Sequence, residues 1–301
     1  MTYKIIEGDV VEALKGLPEA SVQCCVTSPP YWGLRDYGVE GQIGLEDTPQ
    51  AYVERMVDVF KGVKRVLRDD GTMWLNVGVP DGLKPKDLCL IPYRLILALQ
   101  DDGWWVRSQI VWAKKSAMPE SVKDRPTSAW EPIFLLSKSQ KYYYDKQAVM
   151  VPAKYGEAHA RKSTSWGTDR KHPNKANVED YAFKGDNSTT SRMTDGSYGS
   201  NLRNVWHLGP EPCKEAHFAT FPTEIPRRAI LAGAKKGDTV LDPFAGSGTT
   251  LMVAEQLGRD SIGIELNPEY AAMAEMRIQK GLPLTQRKSS EDPKDFGLEM
   301  T

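Results

Sequence analysis

The sequence predicts an α/β fold in which a doubly wound, mainly parallel sheet is covered on both faces by helices. Three observations predict it. Short apolar runs alternate with segments of helical period in both halves of the 301-residue chain. Strands joined by crossover helices pair in parallel and are buried on both sides. Two of the apolar runs end in distinctive loops, Thr27-Ser28-Pro29-Pro30-Tyr31-Trp32 and Asp242-Pro243-Phe244-Ala245-Gly246-Ser247-Gly248-Thr249-Thr250.

Tyr3–Glu7 reads as a short strand, Val10–Leu17 as a short helix and Val22–Thr27 as an apolar strand. Val53, Met56, Val57, Phe60, Val63 and Leu67 recur at helical spacing, which predicts a helix over Gln50–Leu67 closed by Asp69-Asp70-Gly71. Thr72–Val77 is the next strand, Leu90–Leu99 a helix and Trp104–Ala113 a strand. Glu131–Ser137 and Tyr142–Tyr144 are expected to form a final antiparallel pair. Regular structure resumes at Phe221. Thr223 is expected to cap a helix reaching about Ala234, followed by a strand at Thr239–Leu241, a helix at Thr249–Leu257 and a strand at Ser261–Glu265. Asn267 and Pro268, a cap and a first-turn proline, open a helix over Glu269–Gln279. The polar tail after Leu284 is expected to fray.

Hydrophobic residues make up 40% of the chain and charged residues 26%, a globular balance that supports a sizeable core. No apolar run approaches the roughly 20 residues of a membrane span, so no membrane association is expected. The N-terminus lacks the basic and apolar regions of a signal peptide. A cytoplasmic setting, in a bacterial nucleoid or a phage-infected cell, is the corresponding expectation. Cys24, Cys25, Cys89 and Cys213 include no C-x-x-C pair, so neither zinc nor another metal is expected. Cys24 and Cys25, neighbours on one strand, should point to opposite faces as buried thiols. The net charge of −1 excludes a uniformly basic nucleic-acid protein but not a local basic cleft.

Composition changes near Val151. From there to Asn204 periodicity is weak, Ser, Thr, Asn, Asp, Gly and Lys are frequent, and nine Lys/Arg oppose six Asp/Glu, a local net of +3. Tyr155, Trp166, Tyr181, Phe183 and Tyr198 are interleaved. So long an irregular insertion in an enzyme is either functional or a solvated loop.

A strand, then Gly246-Ser247-Gly248, then a helix places backbone N–H groups beside a ligand that glycine lets approach closely. No lysine follows, so this is not a P-loop, and Leu251 stands where a dinucleotide fingerprint has its third glycine. Alone, the pattern equally suits a structural turn. Glu265 adds weight: it ends the next strand, where an acid can accept hydrogen bonds from ribose hydroxyls. A ribose site without a phosphate-binding lysine fits a nucleoside carrying a short zwitterion, which describes S-adenosylmethionine. Its carboxylate would suit the N–H groups and hydroxyls of Ser247, Thr249 and Thr250.

Pro29 and Pro30 have restricted φ and no N–H, so their carbonyls and that of Ser28 are held as acceptors. Acceptors fixed on both protons of an exocyclic base amine favour a pyramidal nitrogen and free its lone pair for attack. Tyr31, with Trp32, offers a flat face to a base, which must be flipped out of a duplex to reach it. A bare Pro-Pro-Tyr also suits a strand-terminating turn with a core tyrosine.

Together, Ser28-Pro29-Pro30-Tyr31 and the segment Asp242–Thr249 resemble the motifs of the amino-directed DNA methyltransferases, and their order, catalytic motif first, is similar to the circularly permuted β group. Gly8-Asp9, Gly71–Gly78, Arg203-Asn204-Val205-Trp206 and His217-Phe218-Ala219-Thr220-Phe221-Pro222 agree with it. The resemblance covers most of residues 1–150 and 203–282. It implies a permuted Rossmann-like methyltransferase fold, with a catalytic half at 1–150, a target-recognition insertion at 151–205, a cofactor-binding half at 206–283 and a flexible tail at 284–301.

The resemblance also implies residue roles. Ser28, Pro29, Pro30 and Tyr31 would hold the target amine and its ring. Asp9 would meet the cofactor adenine, Phe221 and Phe244 would line its pocket, Asp242 would lie near the methionine moiety and Glu265 would bind the ribose. Thr27, Gly246, Ser247, Gly248 and Thr249 complete the cofactor set. Arg161, Lys162, Arg170, Lys171 and Arg203 are the expected contacts to double-stranded DNA. A homodimer and a cognate restriction endonuclease are compatible with the family.

Serine at the first motif position points to cytosine N4, and adenine N6 is the alternative. Its hydroxyl can donate to or accept from the target. Pro212-Cys213 resembles the nucleophile dipeptide of carbon-methylating enzymes, but it precedes the cofactor loop, the wrong order for that chemistry. An RNA or protein N-methyltransferase would generally carry the cofactor loop first. A non-catalytic DNA-binding module would not need both motifs.

Overall fold

A computed structural model describes residues 2–78, 86–152, 190–193, 198–209, 211 and 221–281. Strand β1 (Tyr3–Glu7) leads into Asp9, whose Oδ1 accepts from the N–H groups of Val11 and Glu12 and starts helix α1 (Val10–Lys15). Strand β2 (Val22–Thr27) is buried throughout. Helix α2 (Pro49–Val66) begins with a Thr48 cap and a first-turn proline and buries a stripe that includes Tyr52, Met56 and Phe60.

Helix α2 passes without a turn into β3 (Leu67–Asn76), so Asp69-Asp70-Gly71, expected to be a closing loop, lies within a strand. Gly71 is hemmed in there, since a Cβ would come within 2.9 Å of Arg68 O. Helix α3 (Ile91–Asp101), β4 (Trp105–Lys114) and β5 (Trp130–Ser137) follow. The described parts of the next stretch form β6 (Val151–Pro152), β7 (Thr190–Arg192) and β8 (Tyr198–Ser200), a small antiparallel sheet in the order β6-β8-β7. The chain then forms β9 (Val205–Leu208), α4 (Glu224–Gly233), β10 (Thr239–Asp242), α5 (Thr249–Gln256), β11 (Asp260–Glu265) and α6 (Pro268–Gly281).

The chain divides into two compact units, Met1–Tyr144 with Asn204–Thr301, and Asp145–Arg203. The first holds an eight-stranded sheet in the order β1-β11-β10-β2-β3-β5-β4-β9. Every neighbouring pair is parallel except the two that involve β5. From β10 the chain moves through α5 to β11 on one side, and from β2 through α2 to β3 on the other. The winding therefore reverses between β10 and β2, and the crevice at the carboxyl ends of such a strand pair is where open α/β sheets bind ligands.

Adjacent cysteines mark the two helical layers. Cys25 packs in the core cluster built with α1, α2 and α3, whereas Cys24 Sγ reaches Ala229 O of α4 and Thr72 Oγ1. Both thiols are fully buried, and burial pushes that of Cys24 up to about 12. No helix among the described residues is long and apolar enough to cross a membrane.

Two local expectations are corrected. Residues 142–144 form no strand, because β5 already pairs on both edges, with β3 and β4; Tyr143 instead donates its N–H to Asp70 O at 2.9 Å. Thr223 is not a side-chain cap, since its backbone is already helical (φ −56°, ψ −25°). Its N–H and hydroxyl donate to the Glu211 carboxylate at 2.9 and 3.0 Å, so an acid meets the start of α4. The Asn267 cap forms as expected, accepting from Glu269 N at 2.9 Å.

Candidate active site

Strands β10 and β2 pair in parallel with Val240 opposite Cys24 and Leu241 opposite Cys25, so the two motif loops leave the sheet at the same edge. Thr27 Oγ1 donates to Asp242 Oδ1 at 2.7 Å, and Thr250 Oγ1 donates back to Val26 O at 3.3 Å. Asp242 also accepts from Phe244 N at 3.1 Å. Burial pushes the Asp242 carboxyl up to about 6, against the opposing effect of hydrogen bonds from Thr27, Thr250 and Phe244 N.

The glycine loop is held from below. Glu265 Oε2 accepts from Gly246 N at 2.8 Å and Oε1 from Asn267 N at 2.9 Å, while Gly8 N donates to Glu265 O at 2.9 Å. Burial raises the Glu265 carboxyl, and these backbone donors act against that shift. Gly246 has φ +50° and a Cβ there would meet nothing within 4 Å, so this face is open to a ligand. Gly248 is also needed for packing: at φ +76°, a Cβ would lie 2.7 Å from that of Ala274 on α6. Asp9, at the end of β1 beside Glu265, is engaged as the α1 cap and lies 3.6 Å from Arg55. Phe244 packs half-buried against the core, and Phe221 is half-buried ahead of α4.

The loop hydroxyls are differently engaged than expected. Arg277 Nη1 donates to Ser247 O, Ser247 Oγ and Thr249 Oγ1 at 2.5, 2.5 and 3.1 Å, and Thr250 bridges the two strands. Tyr37, from the segment after the Pro-Pro loop, meets Tyr270 of α6 edge-on with ring centroids 6.3 Å apart.

In the Pro-Pro loop, Ser28 Oγ donates to Tyr31 Oη at 3.2 Å and Tyr31 Oη donates to Glu131 Oε2 at 2.9 Å. Burial first, and the Glu131 charge second, push the Tyr31 hydroxyl well above its usual range. The ring lies on Gly78, where a Cβ would come within 2.2 Å of Tyr31 Cε2. Pro30 O, expected among the acceptors for the amine, is turned to the core and accepts from Tyr52 Oη at 2.8 Å. Trp32 is buried, with Nε1 on Glu46 O, and offers no free face for stacking. Of the three carbonyls expected as acceptors, those of Ser28 and Pro29 remain beside the one that Tyr52 takes.

Sequence reasoning missed Asn76, Lys114, Glu131 and Arg277. The first three stand at or near strand ends, and all three strands bring those ends to the Tyr31 edge of the sheet. The available signal was a polar residue bordering an apolar run: Asn76 follows Met73-Trp74-Leu75, and Glu131 precedes Pro132-Ile133-Phe134-Leu135-Leu136.

A DNA methylase family, N6_N4_Mtase, matches residues 22–276. The chain belongs to this DNA methylase family. The methylase is 45% identical to the Type II methyltransferase M.Cfr9I of Citrobacter freundii, with 91% of this chain and 87% of that protein covered. It is 43% identical to M.SmaI of Serratia marcescens, with 91% and 90% covered. A DNA modification methylase of Thermus thermophilus, TTHA0409, solved in complex with S-adenosyl-L-methionine, is 26% identical and superposes with a TM-score of 0.60 over 94% of this chain and 97% of that one. The PvuII cytosine-N4-specific DNA methyltransferase, 20% identical, shares the fold with a TM-score of 0.69 over 99% and 90%.

Of the expected DNA contacts in the methylase, Arg161, Lys162, Arg170 and Lys171 lie outside the described residues, as does Cys213. Arg203 is exposed and ends the second unit. Asn204 and Val205 begin the return to the large sheet: Asn204 O accepts from Val111 N at 2.8 Å, and Trp206 stacks on Trp74.

Proposed function

We propose that this methylase acts site-specifically on double-stranded DNA, moving the methyl group of S-adenosylmethionine to the exocyclic amine of a flipped base, cytosine at N4. The observation that carries the reading is the Thr27–Asp242 hydrogen bond, which joins the acceptor loop to the glycine loop at the switch of the sheet. The chain fits that cofactor. Glu265 has carboxylate lone pairs for ribose hydroxyls beside its backbone donors, and Gly246 leaves open space above the loop. When bound, S-adenosylmethionine would supply an electrophilic methyl group whose S–C bond breaks as the N–C bond forms, leaving a neutral thioether without Lewis-acid help and a proton released from the amine to solvent.

The protein's part is positioning and polarity. Ser28 Oγ and the Pro29 carbonyl hold the amine protons, Tyr31 presents the ring face opposite Gly78 to the base, and Pro30 anchors the loop through Tyr52. Asp9, Phe221 and Phe244 border the adenine, and Asp242 the methionine end. Ser247, Gly248 and Thr249 complete the cradle.

Serine rather than an acid at position 28 supports cytosine N4 over adenine N6. Incubation of duplex DNA with cofactor, followed by mass spectrometry of its nucleosides, tests the reading. N4-methylcytosine is the expected product; N6-methyladenine would change the base, and unmodified DNA would overturn the activity. Arg161, Lys162, Arg170, Lys171 and Arg203 are the proposed phosphate contacts. If they serve so, log affinity falls with log salt by about 0.9 per contact, and Arg170→Ala/Lys171→Ala flattens that slope. A homodimer, and a restriction endonuclease of the same site, are the proposed partners.

A further inference from the structure

We propose that Glu131 sets the direction of a hydroxyl chain running from Ser28 through Tyr31, so that Ser28 meets its target as a hydrogen-bond acceptor and selects an amine over a carbonyl. The inference rests on the amine-methylating reading and adds the group that decides which bases the loop accepts.

A serine hydroxyl can donate or accept, so Ser28 alone does not tell an amine from a ring carbonyl. Its surroundings do. Glu131 Oε1 lies 2.6 Å from Lys114 Nζ, and Oε2 accepts from Tyr31 Oη at 2.9 Å and Asn76 Nδ2 at 3.3 Å. A carboxylate paired with an ammonium has no hydrogen to give, so the Tyr31 hydrogen is directed at Glu131. The phenol oxygen can then only accept from Ser28 Oγ, 3.2 Å away. Asn76 closes the other route. Its Nδ2 donates to Glu131 and to Pro132 O (3.1 Å), which turns Oδ1 to within 3.3 Å of Tyr31 Oη and 3.5 Å of Ser28 Oγ.

Both protein neighbours of the Ser28 hydroxyl are therefore acceptors, and its one hydrogen points at them. The Oγ lone pairs face the remaining side. An exocyclic amine answers them with N–H. The carbonyl of a deaminated base opposes lone pairs with lone pairs, and a site built this way discriminates strongly. Glu131 acts through Tyr31, to which it is bonded, and is a positioning residue.

The test uses Glu131→Gln, Tyr31→Phe and the double variant of the full chain. Glutamine keeps the shape of the side chain but can donate as well as accept, so the direction is lost. Duplexes are built around a site the wild-type protein methylates, carrying either the natural target base or its carbonyl counterpart (uracil for cytosine, hypoxanthine for adenine). Binding is measured with S-adenosylhomocysteine present, and the mispair introduced is common to all proteins, so it cancels in the comparison. The amine-over-carbonyl preference is expected to fall about tenfold in each single variant and no further in the double variant. Turnover should fall likewise, with KM for S-adenosylmethionine unchanged. A wild-type preference in Glu131→Gln, or losses that multiply in the double variant, would overturn the inference. Absence of any wild-type methylation would overturn the parent reading as well.

Discussion

Thr27 and Asp242 lie 215 residues apart in sequence and share a hydrogen bond of 2.7 Å between Oγ1 and Oδ1. Thr27 ends β2 and Asp242 ends β10, so the bond closes the floor of the crevice where the sheet reverses its winding. Thr27→Val removes the donor and leaves a buried carboxylate short of a partner. The expected cost is about 1–3 kcal/mol, read from urea denaturation. Because that bond holds the Asp242 carboxyl down, the acid limb of the methylation pH profile should move to higher pH. An unmoved limb would dissociate Asp242 from the reaction.

Asp242 itself makes a prediction about stability. Burial raises its carboxyl from 3.8 to about 6 in the folded chain. A group that holds its proton more tightly when folded lowers stability as pH rises through that window. The cost is absent below about pH 4 and full above about pH 6, on the order of 2–3 kcal/mol. Asp242→Asn should therefore denature at higher urea than wild type at pH 7.5, with the gain fading toward pH 4, while methylation is lost. Parallel stability curves for the two proteins would contradict it.

Gly78 leaves no room for a side chain beneath Tyr31, since an added Cβ would come within 2.2 Å of the ring. Gly78→Ala should push the ring from its seat and loosen the bonds from its hydroxyl to Glu131 and Asn76. Turnover is expected to fall at least tenfold, with cofactor affinity held within about twofold and a stability cost of about 1–3 kcal/mol. Equal losses in cofactor binding and turnover, seen by calorimetry and assay, would point to general unfolding instead.

Arg277 donates to the oxygens of Ser247 and Thr249, so the hydrogens of those hydroxyls turn away from it. They become donors suited to a carboxylate. Arg277→Ala should weaken S-adenosylhomocysteine binding about tenfold or more and leave 5′-methylthioadenosine, which lacks the carboxylate, nearly unaffected. Arg277→Lys should restore part of the loss. The same loss for both ligands would assign Arg277 to loop folding alone.

Features that depend on local backbone chemistry are readable from the order of residues alone. Alternating strand and helix periods specified a mainly parallel α/β sheet. Asn267-Pro268 specified the start of α6, and the period of the run Ser261–Glu265 specified the strand that Glu265 ends. Those features are legible because each is settled within a few residues, by dihedral limits, caps and burial period. Where local signals competed with pairing, they misled: Tyr142–Tyr144 has strand-forming side chains, but the edge of β5 was already taken by β4. The tertiary structure alone decided which distant groups meet. Tyr31 and Glu131, 100 residues apart, touch because β5 runs against its neighbours and brings its first residues to the edge where β2 and β3 end. Arg277 reaches the glycine loop because Gly248 lets α6 pack close. A hydroxyl's role as donor or acceptor is set by such partners, and strand order, not residue type, supplies them.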